Sequence, residues 1–70
     1  MSLIQQLDNR MRELGYVQKS GAYEQWDGER LRRVAVVDNI LEIEVIDRSN
    51  EDGNRLRMRK LTRDNILQLS

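Results

Sequence analysis

The feature that most constrains the fold is the alternation of apolar and polar residues over positions 30 to 61. Within it, Asp38-Asn39 separates two apolar runs, and both residues tolerate the positive φ of a two-residue type I′ hairpin turn. This turn pairs Val37 with Ile40 and thereby fixes the partner of every residue in both strands. One face of the sheet then collects apolar side chains, and we expect the next strand to add two more to it: Val34, Val36, Leu41, Ile43, Val45, Leu56 and Met58.

The same register places acidic residues beside arginines on the other face of the sheet. Glu44 lies opposite Arg33 and, if the following strand keeps its apolar residues in phase, also opposite Arg57. Glu42 then lies next to Arg59. The sequence therefore predicts a ladder of ion pairs across three strands, in which the glutamates neutralise much of the arginine charge.

The N-terminal segment predicts a helix over residues 3–14. Ser2 and Gln5 have the spacing of a capping box, and apolar residues follow at helical intervals. Gly15 is a standard helix stop, and Tyr16 is placed to fold back onto the last turn.

The rest of the chain reads as a meander. Residues 16–19 fit either a short strand or an extended approach to the sheet, and Thr62 is placed to cap a closing helix, with a fifth strand as the alternative. The predicted fold is a single α+β domain over residues 1–70, with an N-terminal helix, a four-stranded antiparallel meander sheet and a short C-terminal helix. The predicted strands cover 21–26, 30–37, 40–47 and 55–61, with turns at Asp27-Gly28 and Asp38-Asn39 and a longer loop at Ser49–Asn54, and the closing helix contributes Ile66, Leu67 and Leu69.

Composition bounds the class of protein. Nineteen of the 70 residues are Leu, Ile or Val, which is enough for a folded unit, but a core of this size supplies only about 3–5 kcal/mol. Self-association or docking on a partner is therefore expected. Twelve basic residues balance twelve acidic ones, whereas a strongly basic nucleic-acid binder would show an excess. The chain has no Cys and no apolar run of membrane-spanning length, so we expect a cytoplasmic protein without membrane partners.

Catalytic and metal-binding patterns are missing from the sequence. There is no His or Cys, and each Ser lies at an end or a turn. Glu42 and Glu44 are a possible acid–base pair, but an arginine partner keeps a carboxylate ionised and unfit as an acid. The loop around Gly53 fails as a calcium site because Arg48 and Arg59 fall at its first and twelfth positions. We expect no enzyme activity, no cofactor, no metal and no small-molecule substrate.

One segment resembles a known family. Glu13-Leu14-Gly15-Tyr16, followed by Lys19-Ser20-Gly21-Ala22-Tyr23, is similar to the start of HicA-type toxins, in which a helix ends in Leu-Gly-Phe/Tyr before a Gly-Ser-His run in the next strand. That family has a fold like the double-stranded-RNA-binding domain and cleaves mRNA. Its catalytic His would fall near Ala22 or Tyr23, and this chain has no His. The resemblance implies a helix followed by a meander, and it does not imply RNA cleavage.

These observations favour binding over catalysis. The first hypothesis is a non-catalytic protein-interaction module, such as an inhibitor, adaptor or accessory subunit, with a homodimer as one form. The alternative is an RNA- or DNA-binding module that uses an arginine-rich sheet face and stacks bases on Trp26. The residues predicted to contact a partner are Trp26, Arg30, Leu31, Val37, Ile40, Ile46, Arg55, Arg57 and Arg59.

Overall fold

Two helices pack on one face of a five-stranded antiparallel sheet in the computed structural model, which describes residues 1–49 and 54–70. The strands lie side by side in the order of the chain. The predicted α+β class is confirmed, with one strand more than expected; the predicted loop Ser49–Asn54 falls largely outside the described residues. The elements are α1 (Leu3–Glu13), β1 (Val17–Lys19), β2 (Ala22–Asp27), β3 (Arg30–Val37), β4 (Ile40–Asp47), β5 (Arg55–Lys60) and α2 (Arg63–Leu67).

Both ends of α1 are capped by the residues that the sequence indicates. The Ser2 side chain accepts a hydrogen bond from the Gln5 backbone N–H at 3.1 Å. At the other end Gly15 has a φ of +86°, and the Gly15 and Tyr16 N–H groups donate to the carbonyls of Arg12 and Met11. This is a Schellman motif, and it turns the buried Tyr16 back into the core.

Two-residue turns connect the first four strands. Asp38 and Asn39 have φ values of +51° and +64°, as the predicted type I′ turn requires. Ser20 and Gly21 also have positive φ, and the turn that they form pairs residues 17–19 with β2. Of the two predicted alternatives for this segment, the short strand is therefore the one observed. The predicted Asp27-Gly28 turn is displaced by one residue: Asp27 pairs with Arg30, so the turn residues are 28 and 29.

The core lies between the helices and the middle of the sheet. Leu7 and Met11 of α1 are fully buried against Val34 and Leu41, whereas the first-turn residues Leu3 and Ile4 are exposed. Thr62 caps α2 as predicted, with its hydroxyl accepting from the Asn65 N–H at 3.1 Å. The C-terminal segment adds buried Leu61, Ile66 and Leu69, while Leu67, also predicted to pack, is exposed.

The register of β3 with β4 is the predicted one, but that of β4 with β5 is not. Val37 pairs with Ile40 and Arg33 with Glu44, as expected. Across β5, however, Glu44 faces Leu56 instead of Arg57. The predicted ladder is therefore wrong at its third strand, and β5 turns its arginines to the helix side of the sheet.

Leu61 explains this register. It is buried in the core, and its N–H donates to the Asn39 carbonyl at 2.8 Å, so it continues the pairing of β5 with β4. Side chains alternate between the two faces of a strand. Burying Leu61 therefore puts Arg55, Arg57 and Arg59 on the helix side, and Leu56 and Met58 on the opposite side.

Candidate functional site: an open sheet face and an arginine cleft

One face of the sheet carries no helix in the part of the chain that the structure describes. We call it the open face. Its side chains follow from the strand pairings and from their alternation along each strand. The large apolar residues on the open face are Val17, Trp26, Leu31, Val37, Ile40, Ile46, Leu56 and Met58, and its central charged residues are Glu24, Arg33, Glu42 and Glu44.

On β2, β3 and β4 the apolar residues of the open face lie at its two ends. At one end Leu31 pairs with both Trp26 and Ile46, and at the other Val37 pairs with Ile40. Each end thus presents a small apolar patch that water contacts in the isolated chain. The predicted apolar pairs are in the expected places.

Strand β5 extends the apolar surface on its own side. Leu56 and Met58 are 53% and 61% exposed. Both were predicted to lie on the core side of the sheet, and this prediction is wrong. The sequence signal for their true position is Leu61. Because Leu61 is an odd number of residues from both Leu56 and Met58, it lies on the opposite face of the strand from them. Only one of these two sets can face the helices.

Trp26 lies on the open face and is held by a neighbouring cation. It is 51% exposed, and the Arg48 guanidinium carbon lies 4.2 Å from the centroid of its ring. A cation over an exposed indole contributes about 0.5–1 kcal/mol. The contact fixes the indole against the sheet and leaves part of its surface available.

The centre of the open face alternates in charge. Arg33 has Glu24 on one side and Glu44 on the other in the strand register. Among residues 1–49 and 54–70 the ion pairs are Arg10–Glu13, Arg12–Asp8 and Arg30–Asp47, and none of them uses Arg33 or Glu44. The predicted Arg33–Glu44 neighbours are adjacent, but their charged ends are not closed into an ion pair.

The helix side of the sheet carries a cleft of about 590 Å³ beside the helices. We call it the arginine cleft. Val34, Ile43 and Val45 form its floor, and the C-terminal residues 68–70 form one wall. Five arginines line it, two from β3 and three from β5: Arg30, Arg32, Arg55, Arg57 and Arg59.

Asp47 is the one acidic side chain among the described residues that line the cleft. Its carboxylate accepts from the Ser49 hydroxyl at 2.8 Å and from the Ser49 N–H at 3.1 Å, and it lies 3.7 Å from Arg30 Nε. The hydrogen bonds from Ser49, with a smaller effect from Arg30, lower the pKa of Asp47. The carboxylate therefore stays charged and offsets Arg30 alone.

The remaining arginines differ in their surroundings. Arg32 Nη1 lies 3.5 Å from the Ser70 carbonyl oxygen, to which the Tyr16 hydroxyl also donates at 2.9 Å. Within the described residues, no carboxylate forms an ion pair with Arg55, Arg57 or Arg59. All three side chains are exposed, so this end of the cleft is a strong local source of positive charge on a chain of zero net charge.

The structure divides the predicted partner-binding residues between two surfaces. The apolar members and Trp26 lie on the open face, and Arg30, Arg55, Arg57 and Arg59 line the arginine cleft. Arg32 also lines the cleft, although the sequence pattern did not indicate it as a partner-binding residue. Trp26 and the cleft arginines lie on opposite faces of the sheet, so they do not contribute to the same binding site.

Comparison with known proteins adds no family or relative. No protein-family model, curated protein or solved structure matches this chain. Over the described residues, no helix has the length and apolar character needed to cross a bilayer, and no cluster of three or more Asp or Glu side chains is placed to hold a metal ion.

Proposed function

We propose that this protein is a non-catalytic protein-interaction module that pairs with a second copy of itself through the open face. The observation that carries the proposal is the uncovered sheet face with its exposed Trp26, Val37, Leu56 and Met58. Antiparallel sheets can leave one face in water, but that face is then usually polar. Here it keeps large apolar side chains at both ends and along β5.

The size of the open face suits a weak dimer. Four strand spacings of about 4.8 Å and roughly seven residue rises of about 3.4 Å give a flat footprint of about 450 Å² per copy. Side-chain relief enlarges this area, so that a pair buries roughly 1,000 Å², near the lower limit of specific interfaces. We therefore expect a dissociation constant in the micromolar range.

The pattern of the open face is complementary to itself. Consider a two-fold axis that runs along the strands, between β3 and β4, in the plane where two open faces meet. Because β3 of one copy then lies over β4 of the other, each strand pairing is repeated between the copies. Leu31 lies over Ile46, Val37 over Ile40, and Arg33 over Glu44, and each contact occurs twice.

Sedimentation equilibrium tests the proposal. We expect a reversible dimer for the natural chain and a monomer for Val37→Glu, which sets a charge into an apolar contact. Arg57→Glu is the matched control, since it introduces the same side chain on the opposite face and should remain dimeric. A natural chain that is monomeric at millimolar concentration, or equal weakening by both variants, would refute the proposed dimer.

A charge exchange tests the orientation of the two copies. Arg33→Glu should weaken the dimer about tenfold, because like charges then meet across the axis. The double variant Arg33→Glu/Glu44→Arg restores opposite charges both within and between copies, and it should recover most of the affinity. Failure of the double variant to recover, with its fold intact by circular dichroism, would contradict this packing.

RNA or DNA binding is the second candidate, and the arginine cleft is the observation that favours it. Three exposed arginines in a row can follow a phosphate backbone. Against it stand the zero net charge and the position of Trp26 on the other face, away from any strand bound in the cleft. More of the surface therefore supports a protein-interaction module than a nucleic-acid-binding one. We further propose that this module acts in the cytoplasm.

A further inference from the structure

We infer that the free edge of β5, together with the arginine cleft, binds an extended acidic segment of another protein as a sixth strand of the sheet. This site lies at the β5 edge of the sheet and shares only Leu56 and Met58 with the open face, and it adds a second partner to the proposed interaction role. The partner segment is specified by its chemistry: acidic residues at alternate positions and apolar residues between them.

The backbone of β5 offers an unpaired edge at two residues. The Leu61 N–H donates to Asn39 across the ladder, so Leu61 makes its hydrogen bonds toward β4. In an antiparallel pair this direction alternates. Arg55, Arg57 and Arg59 therefore bond to β4, while Leu56, Met58 and Lys60 direct their N–H and C=O groups outward.

The position of Lys60 supports this alternation. Its carbonyl accepts from the Asn65 side-chain amide at 2.7 Å, which is a contact with α2 and not with β4. At Leu56 and Met58 no other described residue takes the outward backbone groups. A strand of about four to five residues can pair there by the mode in which peptides join sheet edges.

The side chains of β5 specify the sequence of the added strand. Alternate residues of a strand lie about 6.8 Å apart on one face. An incoming strand with Glu or Asp at every second position can therefore set its carboxylates beside the guanidinium groups of Arg55, Arg57 and Arg59. Its intervening residues lie on the other face next to Leu56 and Met58, and apolar side chains fit there.

A peptide strand accounts for more of this edge than a nucleic acid does. A phosphate backbone would use the arginines but not the outward N–H and C=O groups or the apolar pair on the other face. The only tyrosine that lines the described part of the cleft, Tyr16, is buried and bonded to Ser70, so it offers no stacking surface.

Fluorescence anisotropy with labelled peptides tests the inference. The probe is a peptide of alternating Glu and Val, and the comparisons are the same composition in scrambled order, the Lys–Val counterpart and a single-stranded DNA oligonucleotide. We expect the alternating acidic peptide to bind at least about tenfold more tightly than the other probes. Tighter binding of the oligonucleotide, or equal binding of the scrambled peptide, would overturn the inference.

Two variants of one residue separate backbone pairing from charge. Met58→Pro removes an outward N–H and leaves the ladder with β4 intact, so it should weaken the peptide about tenfold. Met58→Ala keeps the N–H and should change binding by less than about threefold. Arg57→Glu should also abolish binding, whereas Val37→Glu, the dimer-breaking variant, should bind the peptide normally.

Hydrogen exchange provides a readout on the natural chain. On addition of the alternating peptide, the Leu56 and Met58 amides should become protected, while the Val37 amide should not change. This outcome holds whether or not the chain dimerises, so failure here and failure of the proposed dimer are distinguishable. Binding without protection of these two amides would overturn strand addition even if the arginines are required.

Discussion

At the scale of single residues, a hydrogen-bonded set ties α1 to the sheet. The Tyr23 hydroxyl of β2 donates to Asp8 Oδ1 at 2.9 Å, and the other Asp8 oxygen lies 3.0 Å from Arg12 Nε. Partial burial, followed by the hydrogen bond to the Asp8 carboxylate, raises the pKa of Tyr23 above its ordinary value of 10.0. The protonated hydroxyl is thus the form that the fold favours.

This set predicts a dependence of stability on alkaline pH. Because the folded pKa of Tyr23 exceeds the unfolded one, its contribution is fully present below about pH 10 and is lost as pH rises through the folded value. Tyr23→Phe should lower the free energy of unfolding by about 1 kcal/mol at neutral pH. The difference between the two proteins should shrink above pH 10, as measured by urea unfolding followed by circular dichroism. A constant difference across this range would contradict the assignment.

Arg10 joins the two ends of the chain at the same scale. Its Nη2 donates to the carbonyl of Leu67 at 3.4 Å, in the last turn of α2, and to that of Leu69 at 3.0 Å, just after the helix. A cation at the end of a helix also opposes the negative end of its dipole. One side chain of α1 therefore holds the C-terminal segment against the core.

At the scale of elements, the phase of β5 decides what each surface can bind. If burial of Leu61 determines which face each β5 residue occupies, Leu61 contributes most of the packing energy of this strand. Leu56 and Met58 then contribute almost none. In the alternative register the arginines would leave the cleft, and the open face would become basic. The assignment of both surfaces therefore depends on one buried leucine.

Truncation of these residues tests the register directly. Leu61→Ala should lower the free energy of unfolding by about 2–4 kcal/mol, the cost of a buried leucine. Met58→Ala, at an exposed position of the same strand, should change it by less than about 0.5 kcal/mol. Denaturant unfolding of both variants is the measurement. A larger loss at Met58 than at Leu61 would restore the register with paired Glu44 and Arg57.

The extent to which the sequence predicts the fold differs from strand to strand. The two-residue turn at Asp38-Asn39 fixes the register of the hairpin, so every pair of β3 with β4 is correctly predicted. The connection to β5 is longer, so its length does not fix the register of β5. Burial of Leu61 outweighs that of Leu56 and Met58 only because α2 returns over the sheet, which is a tertiary effect. The part of the open face formed by β3 and β4 was therefore predicted correctly, including its apolar ends, whereas the contribution of β5 and the arginine cleft were not.

At the scale of the whole molecule, dimerisation should increase the thermal stability of the folded chain. A module of this length has a small core, and covering the open face adds apolar burial that the isolated chain lacks. The thermal midpoint should therefore rise with protein concentration, because association stabilises only the folded state. Scanning calorimetry over about a hundredfold range of concentration should show this for the natural chain and not for Val37→Glu. A midpoint independent of concentration in both proteins would mean that the open face stays uncovered.

The order of the strands has a further consequence for how the chain reaches this structure. Every strand pairs with its neighbour along the chain, and the first four are joined by turns of two residues. Contacts between near neighbours in sequence require little loop closure, and domains rich in them fold within about milliseconds or faster. Hairpins can form one after another before α1 and α2 meet. A small module with an exposed apolar face thus spends little time with its strands unpaired, when it would be most prone to aggregate.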